Sequence, residues 1–348
     1  MKKILFVTEE INSPYDEGIK KSVYNIYNYL KENFLVKVIC RKGFTDKDIR
    51  VVKTNKLFYS SVVKNIIKNY QPDIILYIPF ASDTFASYLR LKMLKKFYPK
   101  SKTIFVILQP KELKKWQKQL IPYLKPDMGL TSSPQLIEKW NNLSISSKVL
   151  PLFTDLNQFK IILKNRKIEL RKKYNIPVDK FVISHIGHIN WGRNLEALIP
   201  LQFADNQIVV VGSSSTPDDA PKEENLKNKL IQKGIIILDG YIKNIEEIYQ
   251  LSDLYIFPVI FQGGSINMPL SILEARACGI PVLTTDFGSM KHYMEHDNGG
   301  IYYSIPDDFL ENIEMIKKTH QDINFTSTNI PMINNQFYKT ILDSVNEL

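Results

Sequence analysis

Glu274 is the residue whose sequence neighbourhood first suggests chemistry. It lies in the segment GGSINMPLSILEARACGIPVLTTDFGS (263–289), inside an apolar run that two glycine-containing turns follow. At helical spacing, Leu270, Leu273 and Ala277 form a buried stripe beside it. A partly buried carboxylate needs hydrogen-bond donors, and the vicinal hydroxyls of a ribose can supply two at once. Periodicity alone leaves open the alternative that Glu274 lies on a solvated helix face.

A cationic counterpart occurs in the segment GHINWGRN (187–194). A strand is predicted to end at Gly187 and a helix to begin near Asn194, which places Arg193 at a helix N-terminus. A guanidinium there adds to the helix dipole and can bind a diphosphate through two hydrogen bonds. An exposed loop arginine is the alternative, and His188 could equally contact a ligand or pack within the loop.

A third candidate is the glycine-serine turn in VVVGSSST (209–216), which includes Ser213. Turns of this kind present backbone N–H groups to phosphates. The sequence has neither a GxGxxG nor a GxxxxGK[ST] motif, so a plain loop at the end of a strand explains the turn as well.

These candidates are positioned by alternating strands and helices. Apolar, β-branched runs predict five strands in the first half of the chain, at 3–8, 35–40, 73–79, 103–108 and 128–133. Five more are predicted at 181–187, 207–215, 234–241, 253–259 and 281–288. Helices are predicted between them, most clearly at 19–33, 194–201 and 269–279. Strands that alternate with helices favour parallel sheets covered on both faces.

The sequence therefore predicts an α/β fold with two Rossmann-like, doubly wound parallel-sheet domains that face a cleft. We expect the first domain at 1–160, the second at 161–330, and a C-terminal helix at 331–348 that could pack back on the first. Ligands of such sheets bind at the carboxyl ends of the strands.

Composition narrows the class of protein. The chain has 348 residues, of which 44% are hydrophobic and 24% are charged, as in globular proteins. No apolar run reaches the roughly 18 residues that cross a bilayer. Cys40 and Cys278 form no metal or redox spacing, and the start MKKILFVTEE resembles a first strand more than a signal peptide. We therefore expect a cytoplasmic protein.

The charge is divided unevenly along the chain. Residues 1–160 carry 28 Lys and Arg against 13 Asp and Glu, whereas residues 161–348 carry 18 against 23. A basic first half suggests an anionic partner, such as a membrane surface, a phosphate-bearing lipid or nucleic acid. Lysines that merely cover solvated faces are the alternative.

Taken together, these segments resemble the family 4 retaining glycosyltransferases, which have the two-domain GT-B fold. The opening KILFVTEEINSPYDEGIKKSVYNIYNYL is similar to the family's first strand, glycine loop and helix. VLPLFTDLNQF (149–159), GHINWGRN and LDGYIKNIEEIYQLSDLYIFPV (238–259) follow in the family's order. PLSILEARACGIPVLTTDFGS is similar to the family's most specific motif, and the resemblance covers most of the chain.

The resemblance implies transfer of a sugar from a nucleotide diphosphate donor, with retention at the anomeric carbon and without a cofactor or a metal. Glu274 would then bind the ribose, His188 and Arg193 the diphosphate, and Gly18 would approach the donor. The donor-binding set is completed by Gly187, Ser213, Tyr241, Ile266, Asn267, Met268, Leu270 and Ser271. We expect Arg193, Gln109 and Asn267 to serve catalysis.

The sequence departs from the family pattern at sugar-facing positions. Ile266 stands where the family usually has an acidic residue, eight positions before Glu274, with Asn267 as the nearest polar side chain. Gln109 replaces a histidine, and residues 1–160 contain no histidine at all. His188 replaces the family's arginine, and Arg193 its lysine.

Three functions remain open on this basis. The first is an active transferase with altered sugar contacts, since positioning and stabilisation of the leaving diphosphate do not require a carboxylate pair. The second is a non-catalytic nucleotide-sugar binder or a partner subunit of another transferase. The third is nucleic-acid binding by the basic half, for which the sequence contains no recognised module.

Two basic segments suggest an acceptor at a membrane. In residues 110–126, Leu113, Trp116, Leu120 and Ile121 fall on one helical side flanked by lysines, and residues 88–102 are similarly mixed. Such a helix can lie in a membrane interface, or it can pack on its own sheet. We expect weak peripheral binding to anionic lipid on the inner face of the membrane, and a glycan or lipid-linked acceptor.

Overall fold

The computed structural model describes residues 1–15, 17–44, 46–80, 82–212, 220–294, 300–319 and 329–348. The chain divides into two compact units. The first unit comprises Met1–Phe153, Ile266–Met268 and Asn334–Leu348, and the second comprises Thr154–Ser265 and Pro269–Ile333. The predicted α/β class with two parallel-sheet units is confirmed, and the main boundary falls between Phe153 and Thr154.

The first unit is built on a seven-stranded parallel sheet in the order β5-β3-β1-β6-β7-β8-β9. Its strands are β1 (Lys3–Thr8), β3 (Leu35–Cys40), β5 (Ile49–Val51), β6 (Ile74–Ile78), β7 (Lys102–Ile107), β8 (Met128–Thr131) and β9 (Ser147–Val149). Two short strands, β2 (Glu10–Ile11) and β4 (Lys42–Gly43), pair separately. The central strands are buried on both faces, which explains their continuous apolar sequences.

Five helices of the first unit connect these strands. They are α1 (Gly18–Asn33), α2 (Ser61–Tyr70), α3 (Phe85–Phe97), α4 (Lys115–Leu124) and α5 (Pro134–Asn142). In α1 the buried stripe contains Val23, Ile26, Tyr27 and Leu30, the residues whose spacing predicts the helix.

The second unit repeats the arrangement with a six-stranded parallel sheet in the order β12-β11-β10-β13-β14-β15. Its strands are β10 (Phe181–Ile186), β11 (Asn206–Gly212), β12 (Ile236–Asp239), β13 (Leu254–Phe257), β14 (Val282–Thr284) and β15 (Ile301–Tyr303). Its helices are α6 (Lys164–Lys173), α7 (Ala220–Gln232), α8 (Glu246–Leu251), α9 (Leu270–Ala277), α10 (Met290–Met294) and α11 (Phe309–Thr319). This 3-2-1-4-5-6 strand order is that of a dinucleotide-binding Rossmann sheet.

The final helix, α12 (Ile330–Glu347), belongs to both units. From Asn334 onwards it clusters with the first unit, where Lys2 Nζ donates to the Val345 carbonyl at 2.7 Å and Tyr29 packs on Phe337. Among the described residues, no helix is both long enough and apolar enough to span a bilayer.

Candidate functional site

Glu274 lies on α9 and is only 5% exposed, so its carboxylate is not on a solvated helix face. Tyr249, which is buried on α8, donates its hydroxyl to Glu274 Oε2 at 2.9 Å. A buried carboxylate without donors would cost several kcal/mol, roughly, so this bond anchors the charge within the second unit. The tyrosine was not anticipated from the sequence.

A second tyrosine, Tyr255, joins this cluster from β13. Its ring lies 5.4 Å from that of Tyr249, and its hydroxyl lies 3.4 Å from the Ile186 carbonyl. Burial raises the pKa of Tyr255 far above its ordinary value, while Ser271 on α9 opposes the rise through a hydrogen bond. Ser271, Glu274 and Tyr255 are thus neighbours, and the Tyr255 hydroxyl lies near the last residue of β10. Only Ser271 and Glu274 were predicted as site residues.

Arg193 ends a short 3-10 helix, Trp191–Arg193, that directly follows the loop after β10. The residue is half-buried, but its Nε is sealed from solvent and has no hydrogen-bond partner among the described residues. Burial lowers the pKa of the Arg193 guanidinium, and the Tyr255 hydroxyl is the one group that opposes this. Nowhere in the described ranges does a carboxylate form an ion pair with Arg193.

Gly187 leaves the space that the guanidinium occupies. A Cβ atom at Gly187 would lie 3.3 Å from Arg193 Cζ and 3.3 Å from His185 Nε2. These contacts are tight enough that the guanidinium or the imidazole would have to shift by a few tenths of an ångström to admit a side chain. Glycine at this position therefore lets Arg193 lie against the end of β10.

His185 is a third residue, after Tyr249 and Tyr255, that sequence reasoning missed. It is fully buried, and its Nδ1 lies 2.9 Å from the Ile256 carbonyl, an arrangement in which Nδ1–H donates. Its Nε2 has no partner in the described part of the chain. Burial, assisted by the nearby Arg193, lowers the pKa of His185 to about 3, so the imidazole is neutral at physiological pH. The only signal in the sequence was a histidine inside an apolar strand.

The loop that carries Arg193 is held by a contact between glycines. A Cβ at Gly264 would lie 2.3 Å from the Gly192 carbonyl oxygen, which no side chain can tolerate. Beside this contact, Trp191 and Phe261 pair with their ring centroids 5.1 Å apart. His188 is half-buried in the same loop, where its carbonyl accepts from the Asn190 N–H at 3.1 Å.

The remaining predicted residues of the second unit differ in their exposure and lie on different elements. Leu270 is 5% exposed and begins α9, whereas Tyr241 follows β12 and is 53% exposed. Ser213 lies outside the described residues, as does most of its predicted turn.

The other predicted residues belong to the first unit. Gly18 begins α1, and a Cβ there would lie 2.9 Å from Ile266 Cδ1. Ile266 is 6% exposed and packs over the glycine, at the position where the family usually has an acidic residue. The Asn267 N–H donates to the Leu108 carbonyl at 3.0 Å, which brings Asn267 beside the backbone of Gln109.

Two further contacts secure this segment of the first unit. The Leu152 N–H donates to the sulfur of Met268 at 3.2 Å, and Met268 is fully buried. The Gln109 N–H donates to Ser82 Oγ at 2.7 Å. Met268 is therefore a packing residue. No cluster of three or more metal-ligating side chains occurs among the residues that the structure describes.

Comparison with known proteins gives this geometry a family context. Residues 185–319 match the family described as "Glycosyl transferases group 1". N-acetyl-alpha-D-glucosaminyl L-malate synthase of Bacillus anthracis is 22% identical over 186 residues, which are 52% of this chain and 47% of that protein. The UDP-Gal:alpha-D-GlcNAc-diphosphoundecaprenol alpha-1,3-galactosyltransferase of Escherichia coli is 24% identical over 173 residues, 46% of this chain and 41% of that protein. The chain thus spans less than half the length of these two curated relatives.

Solved structures extend the likeness to the whole fold. Anabaena Alr3699/HepE in complex with UDP and glucose has a TM-score of 0.75 at 15% identity, and the match covers 100% of both chains. The glycosyltransferase WaaG, involved in lipopolysaccharide biosynthesis, has a TM-score of 0.64 at 15% identity, with 96% and 94% covered. These likenesses establish the fold.

Proposed function

We propose, from the match of residues 185–319 to the group 1 glycosyltransferases, that the protein moves a sugar from a nucleoside diphosphate to an acceptor hydroxyl. The anomeric configuration is retained and no metal is required. The observation that carries this proposal is Arg193, a half-buried cation whose Nε is sealed from water and has no partner among the described residues.

A diphosphate supplies what Arg193 lacks. Phosphate oxygens accept paired, charge-assisted hydrogen bonds from a guanidinium, and such bonds are about twice as strong as neutral ones. The arginine rests against Gly187, whose missing side chain leaves room for the guanidinium. The neighbouring His185 is neutral at physiological pH, so Arg193 is the positively charged one of the two side chains.

Glu274 is assigned to the ribose of the same nucleotide. Its carboxylate can accept several hydrogen bonds, and Tyr249 fixes one oxygen and thereby the orientation of the group. Vicinal hydroxyls of a ribose suit a carboxylate whose orientation is fixed in this way, as in dinucleotide-binding sheets.

The chemistry follows from these assignments. The bond between the anomeric carbon and the diphosphate breaks, and its electron pair leaves with the diphosphate oxygen. The acceptor oxygen forms the new bond on the same face, and its proton passes to the leaving phosphate. Arg193 lowers the barrier because the leaving group gains charge in the transition state. Gln109 and Asn267, which lie in the first unit, are assigned to catalysis through their side-chain amides.

The relatives suggest which substrates to try first. The HepE structure contains UDP and glucose, and the name of the Escherichia coli relative specifies a diphosphoundecaprenol acceptor. We therefore propose a UDP-sugar donor and a lipid-linked acceptor in cell-envelope polysaccharide synthesis.

Turnover tests the reaction directly. Purified protein, supplied with a panel of UDP-sugars and a sugar linked to polyprenyl diphosphate, should release UDP only when the acceptor is present. The product should keep the donor's anomeric configuration by NMR, and a chelator should leave the rate unchanged. If UDP raises the melting temperature but no donor turns over, the protein is a nucleotide-sugar binder and the transferase assignment is wrong. A nucleotide-sugar binder is the second candidate function because Ile266, at a position where the family usually has an acid, packs on Gly18.

Peripheral binding to an anionic membrane is proposed from helix α4. Of its apolar residues only Ile121 is buried, while Trp116, Leu120 and Tyr123 are 53, 42 and 75% exposed. Exposed aromatic residues beside lysines favour a position at the lipid headgroups, where each lysine adds about 1 kcal/mol.

Vesicle sedimentation tests the membrane proposal. The protein should sediment with vesicles that contain phosphatidylglycerol, and much less with phosphatidylcholine alone. Replacing Lys114 and Lys115 by glutamine should lower the bound fraction more than the matched change at Lys64 and Lys68, which are exposed on α2. Equal sedimentation with both lipids, or equal losses in the two variants, would count against α4 as the binding element.

A further inference from the structure

A cavity of about 200 Å³ lies in the first unit, under α4 and α5. Its walls include Leu113, Leu136 and Leu143, and its outer rim includes Lys118 and Lys139. We call it the α4–α5 pocket. None of its lining residues belongs to the predicted donor site.

The buried end of the α4–α5 pocket is a fixed chain of hydrogen bonds. Trp140 Nε1 donates to the Tyr88 hydroxyl at 2.8 Å, and that hydroxyl donates to Asp83 Oδ1 at 2.9 Å. All three side chains are 2% exposed or less. The Lys111 N–H also bonds to Asp83, whose pKa burial raises to about 6. Because its members are buried and hydrogen-bonded to one another, this network makes the inner end of the pocket rigid.

The outer end already holds an anion. Glu112 lies on the loop before α4, is 70% exposed, and pairs with Lys118 at 3.3 Å and with Lys139. These two lysines come from the two helices that frame the pocket. The hydrogen bond from Lys139, followed by that from Lys118, lowers the pKa of Glu112. The position of this carboxylate shows where an external anion would be stabilised.

We propose that the α4–α5 pocket binds an amphiphilic anion, with a phosphate or carboxylate head between Lys118 and Lys139 and an apolar chain against the leucines. The head displaces Glu112, which acts as an internal competitor. A cavity of about 200 Å³ has room for a short alkyl chain. The inference is independent of sugar transfer, since the site needs neither Arg193 nor Glu274.

Titration calorimetry with octyl phosphate tests the site on the full-length protein. Octyl phosphate should bind well below its aggregation concentration, whereas octanol and inorganic phosphate should each bind at least about tenfold more weakly. Glu112→Gln should tighten binding by about two- to fivefold, because it removes an exposed ion pair that competes with the ligand. The Lys118→Gln/Lys139→Gln double variant should weaken it about fivefold or more.

Glu138→Gln, one position before Lys139 and outside the pocket, is the matched control and should leave the affinity unchanged. Since Glu112→Gln is expected to gain affinity, misfolding cannot imitate its effect. Displacement of octyl phosphate by vesicles containing phosphatidylglycerol would identify a membrane lipid as the source of the anion, and no displacement would identify a soluble amphiphile. Octyl phosphate that binds no tighter than octanol, or an unchanged affinity in Glu112→Gln, would overturn the proposal.

Discussion

Replacing Arg193 by methionine should lower the transfer rate by about 10²- to 10³-fold, the usual effect of removing one group that stabilises a developing anion. The melting-temperature shift caused by UDP should fall in parallel, because the diphosphate loses its paired hydrogen bonds. The ligand-free variant should be as stable as the wild type or slightly more so. The reason is that Arg193 has no ion pair to lose in the described structure, and its buried Nε lacks a partner.

Arg166→Met provides the matched control for that experiment. Arg166 lies on α6 of the same unit, is exposed, and pairs with Glu169 at 2.9 Å. The same charge change there should leave both the UDP shift and the rate unaltered. A full UDP shift in Arg193→Met would show that the diphosphate binds elsewhere. A large loss of stability without ligand would make Arg193 a structural residue instead.

The second large effect is expected at Glu274. Glu274→Gln should weaken UDP binding by about 10- to 150-fold, since hydrogen bonds to a charged group contribute about 1.5–3 kcal/mol. The glutamine keeps the shape and still accepts from Tyr249, whereas alanine would leave that buried hydroxyl unpaired. The binding constants can be measured by titration calorimetry.

A deoxynucleotide makes the test specific for the ribose. The wild type should bind UDP more tightly than 2′-deoxy-UDP, and Glu274→Gln should bind the two almost equally. Tyr249→Phe serves as the control, because it removes the donor to Glu274 but leaves the carboxylate, and should retain most of the discrimination. If Glu274→Gln still prefers UDP as strongly as the wild type does, the carboxylate does not contact the ribose.

The internal strands of both sheets were predictable because their sequences are continuous apolar runs. The predicted segments 3–8 and 35–40 coincide with β1 and β3. The strands β5, β9 and β15 were not predicted. Each has three residues and lies at the edge of its sheet, so its strand conformation depends on a neighbour and not on its own pattern.

One helix prediction was only partly correct. Residues 194–201 were expected to form an ordinary helix, but Leu195–Leu201 is a 3-10 helix. Asn194 has a φ of 54°, in the left-handed region, and Pro200 lies inside the segment. Pro200 lacks the N–H that a regular α-helix uses at this position, and the left-handed Asn194 precedes the segment as its N-cap.

The sequence by itself determined the α/β class, the two sheets and the segments that carry Arg193 and Glu274, because hydrophobic period and motif order are local properties. Only the tertiary structure decided what surrounds those side chains. Periodicity places a residue on a face but does not say what covers that face. The sequence therefore did not predict the contacts of His185, Tyr249 and Tyr255, which come from β10, α8 and β13. The structure also shows that Ile266 packs over Gly18. Likewise, only the structure shows that α4 is exposed, because the rest of the first unit buries only Ile121 of this helix.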